Sequence, residues 1–245
     1  MMARASALFL ASMLIACGAS PADEPVCRAL SFEDMPHIVC TVDRDADIRL
    51  RLRDADGMPL GQFDRLAADL GAPAVMLMNG GMYHADRAPV GLYVEDGQEV
   101  APLVTRAGPG NFGLVPNGVF WSDGERVHVT ETLAFEALEA EPDFATQSGP
   151  MLVIDGALHP RFDPDSESRK RRNGVGISGD RVVFAISDAP VTFHHFARLF
   201  RDSLGADNAL FLDGSISRIV APELGREERG GDLGPMIAVM ADPAE

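Results

Sequence analysis

The sequence predicts an α+β fold, a strand-rich single domain with mixed or antiparallel sheets, several hairpins and a few packed helices. Pairs of Asp-Gly or Asn-Gly recur between apolar runs, as expected for tight turns between antiparallel strands. Helical segments are few and do not alternate regularly with strands, as βαβ units would require. The composition, 46% hydrophobic and 24% charged, is that of a globular protein large enough for one sizeable core.

Strands are predicted from alternating residues and from turn pairs. Residues 48–53 alternate Ile or Leu with Arg, which is typical of a strand with one buried face. Apolar runs predict two more strands, residues 209–212, which end at Asp213-Gly214, and residues 236–240. The turn pairs expected to close hairpins are Asp96-Gly97, Asn117-Gly118, Asp123-Gly124, Asp155-Gly156 and Gly179-Asp180.

Two segments have the periodicity of helices. Residues 62–70 are expected to form a helix that ends at Gly71. Residues 193–204 form the clearer one, with Thr192 as the N-cap and Gly205 as the residue that ends it. The apolar face of this second helix is formed by Phe193, Phe196, Ala197, Phe200 and Leu204.

The first sixteen residues are predicted to be an export signal. Arg4 precedes a short apolar run, residues 5–16, which is too short to span a bilayer as a permanent helix. Leu14-Ile15-Ala16-Cys17 resembles a bacterial lipobox, in which Cys17 becomes the lipidated first residue of the mature protein. Two alternatives are cleavage after Ala22 and retention of the segment as a buried helix. We therefore expect an exported protein, either periplasmic or anchored in the bacterial envelope as a lipoprotein.

The rest of the chain is expected to divide into a tether, residues 17–30, and a folded domain, residues 31–243. Two cysteines remain after either cleavage, Cys27 and Cys40. A disulfide between them is expected in an oxidising compartment, and the alternative is a pair of buried free thiols. Two cysteines are too few for a zinc cluster.

The formal net charge of −16 argues against nucleic-acid binding and against contact with anionic lipid heads. Contact with a membrane is therefore expected only through a lipid at Cys17. The one basic cluster, residues 169–172, is either a local anion site or a solvated loop.

Common catalytic and cofactor motifs are absent from the sequence or weak. GPGNFG at residues 108–113 matches the dinucleotide-binding pattern, but a strand-like segment follows it where a helix is needed. There is no G-x-S-x-G and no H-E-x-x-H, and the adjacent His194 and His195 point to different sides of their helix. We expect neither a metal nor an organic cofactor.

Four short segments combine glycines with polar residues at the ends of predicted strands. Glycine lets the backbone approach a ligand closely, and such strand ends often carry chemistry. Each segment alone could be a plain turn, but four of them in one chain favour a shared site. They are Asn79-Gly80-Gly81, Gln147-Ser148-Gly149, Arg172-Asn173-Gly174 and Asp213-Gly214-Ser215.

Taken in this order, the four segments resemble the phosphodiester glycosidase family over roughly residues 72–240. The matching motifs are NGGMY, QSGP, an Arg two residues before GVG, and a helix that leads to LDG. Two departures are visible: Ser215 and Ile216 stand where the family usually has glycines, and Asn173-Gly174 stands where many members have Thr-Ala. The resemblance implies hydrolysis of a sugar joined through its anomeric carbon to a phosphodiester.

That chemistry suggests roles for the candidate residues. Because the leaving group is a stable phosphate, strong protonation by a general acid matters less than in ordinary glycosides. Arg172 suits phosphate binding, and Asp213 suits the role of nucleophile, base or electrostatic stabiliser, with Asp188 as a second carboxylate. The alternative is that Asp213 caps a turn and Arg172 pairs with surface acids. The residues expected to bind substrate are Asn79, Gly80, Gly81, Gln147, Ser148, Gly149, Asn173, Gly214 and Ser215.

Two other functions remain open from the sequence. One is a non-catalytic lipoprotein that binds glycans or other envelope material, since residues 213–217 depart from the family pattern. The other is a phosphodiesterase that breaks the P–O bond instead of the C–O bond.

Overall fold

Short strands joined by tight turns dominate the computed structural model, which describes residues 25–242. All strand pairs named below are antiparallel. In chain order the strands are β1 (Cys27–Phe32), β2 (Met35–Asp43), β3 (Ile48–Arg51), β4 (Ala74–Asn79), β5 (Tyr93–Glu95), β6 (Gln98–Ala101), β7 (Gly118–Ser122), β8 (Val127–Glu131), β9 (Phe144–Ser148), β10 (Met151–Ile154), β11 (Ala157–Leu158), β12 (Asn173–Ser178), β13 (Arg181–Ser187), β14 (Asn208–Asp213), β15 (Ile219–Ala221), β16 (Arg226–Glu227) and β17 (Met236–Met240).

The strands form three sheets around one shared core. The largest has seven strands in the order β1-β2-β13-β12-β14-β10-β11, and two five-stranded sheets have the orders β16-β15-β4-β17-β3 and β6-β5-β9-β7-β8. Side chains from all three sheets meet in the central core, for example Phe184, Met78 and Phe120. The predicted α+β fold is confirmed, with antiparallel sheets.

Each helix covers the outer face of one sheet. The helices are α1 (Phe63–Leu70), α2 (Thr132–Leu138) and α3 (Phe193–Arg198), and α3 continues as a π-helical turn, Leu199–Ser203. Helix α1 packs on β4 and β17, α2 packs on β7, and α3 packs on the seven-stranded sheet. A short 3-10 turn, Pro222–Leu224, follows β15. Within the described residues, no helix is long and apolar enough to cross a membrane.

The predicted helices are confirmed, with one difference in the second. Gly71 ends α1 in the left-handed conformation, and Thr192 caps α3 by accepting a hydrogen bond from the His195 N–H. The difference is the last turn, where the Leu204 N–H donates to the carbonyl of Leu199, five residues earlier. Helix α2 was not predicted, because it is short and its exposed Leu133 and Leu138 obscure the apolar face.

Four of the five predicted hairpin turns are confirmed: Asp96-Gly97, Asp123-Gly124, Asp155-Gly156 and Gly179-Asp180 each lie between two paired strands. The prediction at Asn117-Gly118 is wrong. Gly118 begins β7, but residues 112–117 form a loop. The loop is held by the buried side chain of Asn117, whose amide nitrogen and amide oxygen both form hydrogen bonds. Its Nδ2 donates to the carbonyl of Phe112, and its Oδ1 accepts from Thr132 Oγ1.

The predicted disulfide between Cys27 and Cys40 is present. The two cysteines are opposite each other in β1 and β2, so the bond joins neighbouring strands. Strand β1 begins at Cys27, so residues 27–30 belong to the sheet and the folded part starts before residue 31. The predicted export signal, residues 1–16, with the lipobox and Cys17, lies outside the described residues.

Candidate functional site

Strand ends from all three sheets meet at one place. Asn79 ends β4, Ser148 ends β9, and Asn173 and Asp213 are paired at neighbouring ends of β12 and β14. Asn173 Nδ2 donates to the carbonyl of Asn79 at 2.9 Å, and Ser148 Oγ donates to the carbonyl of Leu212 at 3.2 Å. The four glycine-containing segments singled out in the sequence therefore converge.

A cleft of about 440 Å³ opens beside this junction. Of the predicted site residues, Asp213, Gly214 and Ser215 line it. The other lining residues come from two loops and from the residue after Ser215: Met82, Tyr83, Val90, Pro109, Gly110, Asn111, Phe112 and Ile216. The remaining candidates lie outside this lining, so they can act only by shaping the cleft or through their charge.

Asp213 presents one carboxylate oxygen to the loop that follows it. Its Oδ2 accepts hydrogen bonds from the N–H groups of Ser215 and Ile216, at 2.9 and 2.7 Å, and lies 3.2 Å from Ser217 Oγ. No described residue donates a hydrogen bond to Oδ1. The carboxylate is thus oriented by its own turn, and Oδ1 remains available to a ligand.

Arg172 is a buried cation behind this turn. It is only 1% exposed, its Nε and Nη2 donate to the carbonyls of Val191 and Ser168, and its guanidinium lies 3.7 Å from the centre of the Phe193 ring. Burial lowers the pKa of Arg172 to about 10, while the charge of Asp213 acts in the opposite direction, so the group stays protonated at neutral pH.

The remaining guanidinium nitrogen of Arg172, Nη1, has no hydrogen-bond acceptor among residues 25–242. A Cβ atom placed on Gly214 would lie 3.4 Å from this Nη1 and 3.0 Å from the Phe211 ring. The uncommitted donor therefore lies directly behind the Gly214 backbone, which itself lines the cleft. The suggested pairing of Arg172 with surface acids does not occur among the described residues.

Asn79 and Asn173 are fully buried and bind one another. Asn79 Oδ1 accepts from the Arg218 N–H at 2.8 Å, which connects the end of β4 to the segment after Asp213. Asn173 Oδ1 is buried and has no partner. Both side chains hold strand ends together beneath the cleft, where a ligand does not reach them directly.

The side-chain amide of Gln147 forms hydrogen bonds mainly with backbone groups. Its Oε1 accepts from the N–H groups of Leu92 and Val104, and its Nε2 donates to the Val104 carbonyl and to Thr132 Oγ1. All four hydrogen-bonding positions of the amide are thereby occupied. Gln147 is placed to support the loops around the cleft, and its side chain has no free group for a sugar hydroxyl.

The glycines of these segments permit close backbone packing. A Cβ atom on Gly81 would lie 2.7 Å from Thr146 Oγ1, and one on Gly149 would lie 2.6 Å from the Cβ of Asn117. One on Gly80 would lie 3.2 Å from the carbonyl oxygen of Pro235. A side chain at Gly81 or Gly149 would push apart the strand ends that form the site.

Asp188 belongs to a separate group of ion pairs. Its Oδ1 lies 2.7 Å from Arg226 Nη2 and 3.3 Å from Arg171 Nη2, and both arginines also pair with Glu228. Arg171 Nη1 also donates to the carbonyl of Ser217, so this group braces the segment after Asp213. Asp188 does not line the cleft.

Sequence reasoning assigned no role to several residues of the cleft. Tyr83 belongs to the NGGMY motif, and its hydroxyl donates to the carbonyl of Asp232. Burial raises the pKa of Tyr83 and keeps its hydroxyl protonated. Asn111 and Phe112 come from the GPGNFG segment, where the irregular, glycine-rich pattern was the available signal.

The described residues contain no group of three His, Cys, Asp or Glu side chains arranged to hold a metal ion. The chemistry that this site offers comes from one oriented carboxylate, one buried guanidinium and the polar atoms of the cleft walls.

Comparisons with known proteins identify a family and a relative of this chain. The model of the phosphodiester glycosidase family matches residues 72–221, which include all four segments. "Uncharacterized protein YigE" of Escherichia coli (strain K12) is 37% identical over 216 residues, covering 86% of this chain and 84% of that protein.

Two solved structures share the fold. The zebrafish N-acetylglucosamine-1-phosphodiester alpha-N-acetylglucosaminidase catalytic domain, auto-inhibited by its pro-peptide, aligns with a TM-score of 0.61 and 13% identity over 91% of this chain and 85% of that one. A candidate exported protein from Burkholderia pseudomallei K96243 aligns with a TM-score of 0.55 and 13% identity over 84% and 74% of the two chains. With the family match and the YigE similarity, the chain belongs to the phosphodiester glycosidase family.

Proposed function

We propose that the protein hydrolyses a sugar-1-phosphodiester in the cleft beside Asp213. The observation that carries this proposal is the arrangement of Asp213: its Oδ2 is fixed by the following turn, and its Oδ1 is left without a donor at the cleft wall. Arg172 lies behind the same turn and supplies positive charge for the phosphate. The zebrafish enzyme of the same fold is named for this class of reaction.

In the proposed reaction the bond between the sugar C1 and the phosphate oxygen breaks. The electron pair leaves with the phosphate, water supplies the hydroxyl group at C1, and one proton is released. Asp213 acts at C1 as nucleophile, base or stabiliser of the oxocarbenium-like transition state. The phosphate is already a good leaving group, which is consistent with a cleft whose described lining contains no second carboxylate.

The proposal includes export to the bacterial envelope. The apolar N-terminal run and the Cys17 lipobox support it, and so does the disulfide, since disulfides persist in oxidising compartments. The substrate would then be an envelope or extracellular glycan or a lipid-linked phosphodiester, because cytoplasmic nucleotide sugars are not present there.

A non-catalytic glycan-binding lipoprotein is the second candidate. The observation in its favour is that the side chains of Asn79 and Gln147 are buried and hydrogen-bonded within the protein, as are Nε and Nη2 of Arg172. In this alternative the cleft binds the ligand, and Asp213 only caps its turn.

A panel of sugar-1-phosphodiesters, including nucleotide sugars, incubated in ¹⁸O-labelled water tests the proposal. Label in the sugar product is expected, since C–O cleavage places the water oxygen on C1. Label in the phosphate product would instead indicate a phosphodiesterase that breaks the P–O bond. Binding without turnover across the panel would favour the lipoprotein that only binds glycans.

A further inference from the structure

Arg218 is a second buried guanidinium beside the cleft, and neither the motifs nor the proposed reaction gives its side chain a role. It is 7% exposed and lies just after the Asp213 turn. Its Nε donates to the carbonyl of Ile216 at 3.3 Å, and its Nη2 donates to the carbonyl of Gly231. Since Ile216 lines the cleft, the charge of Arg218 lies directly behind the cleft wall.

A third arginine lies at the rim of the cleft. The guanidinium carbon of Arg87 is 5.3 Å from the centre of the Tyr83 ring, and that ring lines the cleft. A tight turn places it there: the His84 N–H donates to the carbonyl of Ala88, and the Arg87 N–H donates to the carbonyl of His84. Arg87 has a φ of 71°, a strained value for a residue other than glycine.

These three arginines have no carboxylate within ion-pair distance among residues 25–242. Arg171 and Arg226, only a short distance along the chain, are both paired with acids. A buried cation without a counter-charge loses much of its hydration free energy, and carbonyl dipoles offset only part of that loss. In a chain of net charge −16, this arrangement favours an anion from outside the protein.

The number of charges indicates which anion fits. Asp213 is the only acidic side chain among the described residues that line the cleft. The three guanidinium groups do not line the cleft themselves, so they act on an anion there through their charge across its wall and rim. Taken with the one lining carboxylate, three such charges leave an excess of two, which favours a dianion over a monoanion.

We propose that the cleft binds phosphate monoesters as dianions, more tightly than singly charged phosphodiesters, through the combined charge of Arg172, Arg218 and Arg87. This inference deepens the proposed function, because cleavage of a sugar-1-phosphodiester at either bond yields a phosphate monoester, which carries a second charge above its second pKa near ~6. The protein therefore retains its product and is inhibited by it.

Calorimetric titration with methyl phosphate and methyl sulfate at pH 8 tests the inference without turnover. The two ions have nearly the same size and shape, but methyl phosphate carries two charges at this pH and methyl sulfate carries one. We expect methyl phosphate to bind about tenfold more tightly, as one additional charge in a partly desolvated site would give. Equal affinities, or no binding of either ion, would overturn the inference.

Substitutions of the arginines test whether these residues cause the preference for methyl phosphate over methyl sulfate. Arg218→Gln should reduce the tenfold preference to about threefold or less, and Arg218→Lys should retain most of it. Arg65→Gln, on the exposed side of α1, removes the same charge away from the cleft and should leave the preference unchanged. If Arg218→Gln does not fold, Arg87→Asn replaces it, because Asn tolerates the left-handed backbone at this position.

Turnover distinguishes the inference from the proposed function. Preferred binding of methyl phosphate with no hydrolysis of any sugar-1-phosphodiester would keep the inference and remove the proposed function. Hydrolysis that methyl phosphate does not inhibit competitively, together with equal affinities in the titration, would overturn the inference and support the proposed function.

Discussion

Asp213, Asp188 and Gln147 show how differently polar residues at strand ends can be used. Asp213 lines the cleft with one oxygen free of described donors. Asp188 forms ion pairs with two arginines, and the amide of Gln147 forms hydrogen bonds with backbone groups. A carboxylate or an amide suits either use, so sequence alone could locate these residues but could not separate the ligand-facing ones from the supporting ones.

Asp188→Asn should keep most of the activity and lower stability. The change removes one charge from the group that Asp188 forms with Arg171 and Arg226, so both arginines lose a partner. We expect kcat/KM within about threefold of the wild type and a loss of about 1 kcal/mol in the free energy of unfolding, a modest value because the pairs are partly exposed. A hundredfold loss of kcat/KM at unchanged stability would instead make Asp188 a catalytic residue.

Gln147→Ala should be strongly destabilising. It leaves the buried N–H of Leu92 and the partly buried N–H of Val104 without their acceptor, and a buried group left in this way costs about 1–3 kcal/mol. Urea unfolding should show a total loss of about 2–5 kcal/mol. Gln98→Ala, at an exposed position of β6, is the matched control and should change stability by less than about 0.5 kcal/mol. A Gln147 variant as stable as this control would contradict the supporting role.

At the scale of elements, the sequence predicted most strands and two helices because their signals are local. Asp-Gly and Gly-Asp turns fix hairpins, and Thr192 and Gly71 mark helix ends with their own chemistry. The wrong hairpin at Asn117-Gly118 depends on a contact with Thr132, fifteen residues away along the chain. A short-range pattern contains no information about such a partner.

Reduction of the Cys27–Cys40 disulfide should loosen the β1–β2 hairpin. The bond closes a loop with a sequence separation of 13, for which loop-closure entropy predicts a loss of about 2–3 kcal/mol. Urea unfolding with and without dithiothreitol measures this loss. The Cys27→Ser/Cys40→Ser double variant should be insensitive to the reductant, and equal stability of the oxidised and reduced wild type would contradict the prediction.

At the scale of the whole molecule, the site depends on the meeting of three sheets. The four segments lie at the ends of β4, β9, β12 and β14, which together represent all three sheets, and they are up to 134 residues apart, from Asn79 to Asp213. The order of the motifs indicated their association through the family resemblance. The physical cause, the hydrogen bonds that join Asn79, Asn173 and the segment after Asp213, could be seen only in the fold.

Stability should fall in mild acid because the fold buries neutral histidines. Burial lowers the pKa of His37 to about 4, below its ordinary 6.5, and it also lowers the pKa values of His159 and His195. The unfolded chain binds more protons between those values, so stability is full above pH ~6.5 and decreases as pH falls towards ~4. His37 alone should account for about 2 kcal/mol of the loss between pH 7 and pH 5.

Urea unfolding at the two pH values measures that loss. His37→Gln should reduce the difference in unfolding free energy between pH 7 and pH 5. His84→Gln, at an exposed position, is the control and should leave the difference unchanged. A difference that is the same in the wild type and His37→Gln would contradict the assignment.

The most direct test of the central claim compares the hydrolysis of sugar-1-phosphodiesters by the wild type and by Asp213→Asn, with urea unfolding to establish that both are folded. Asn keeps the shape and can still accept hydrogen bonds from the turn, but it removes the charge at the cleft. We expect turnover by the wild type and a loss of at least about a hundredfold in kcat for the variant. Equal turnover by both proteins, or turnover by neither, would contradict it.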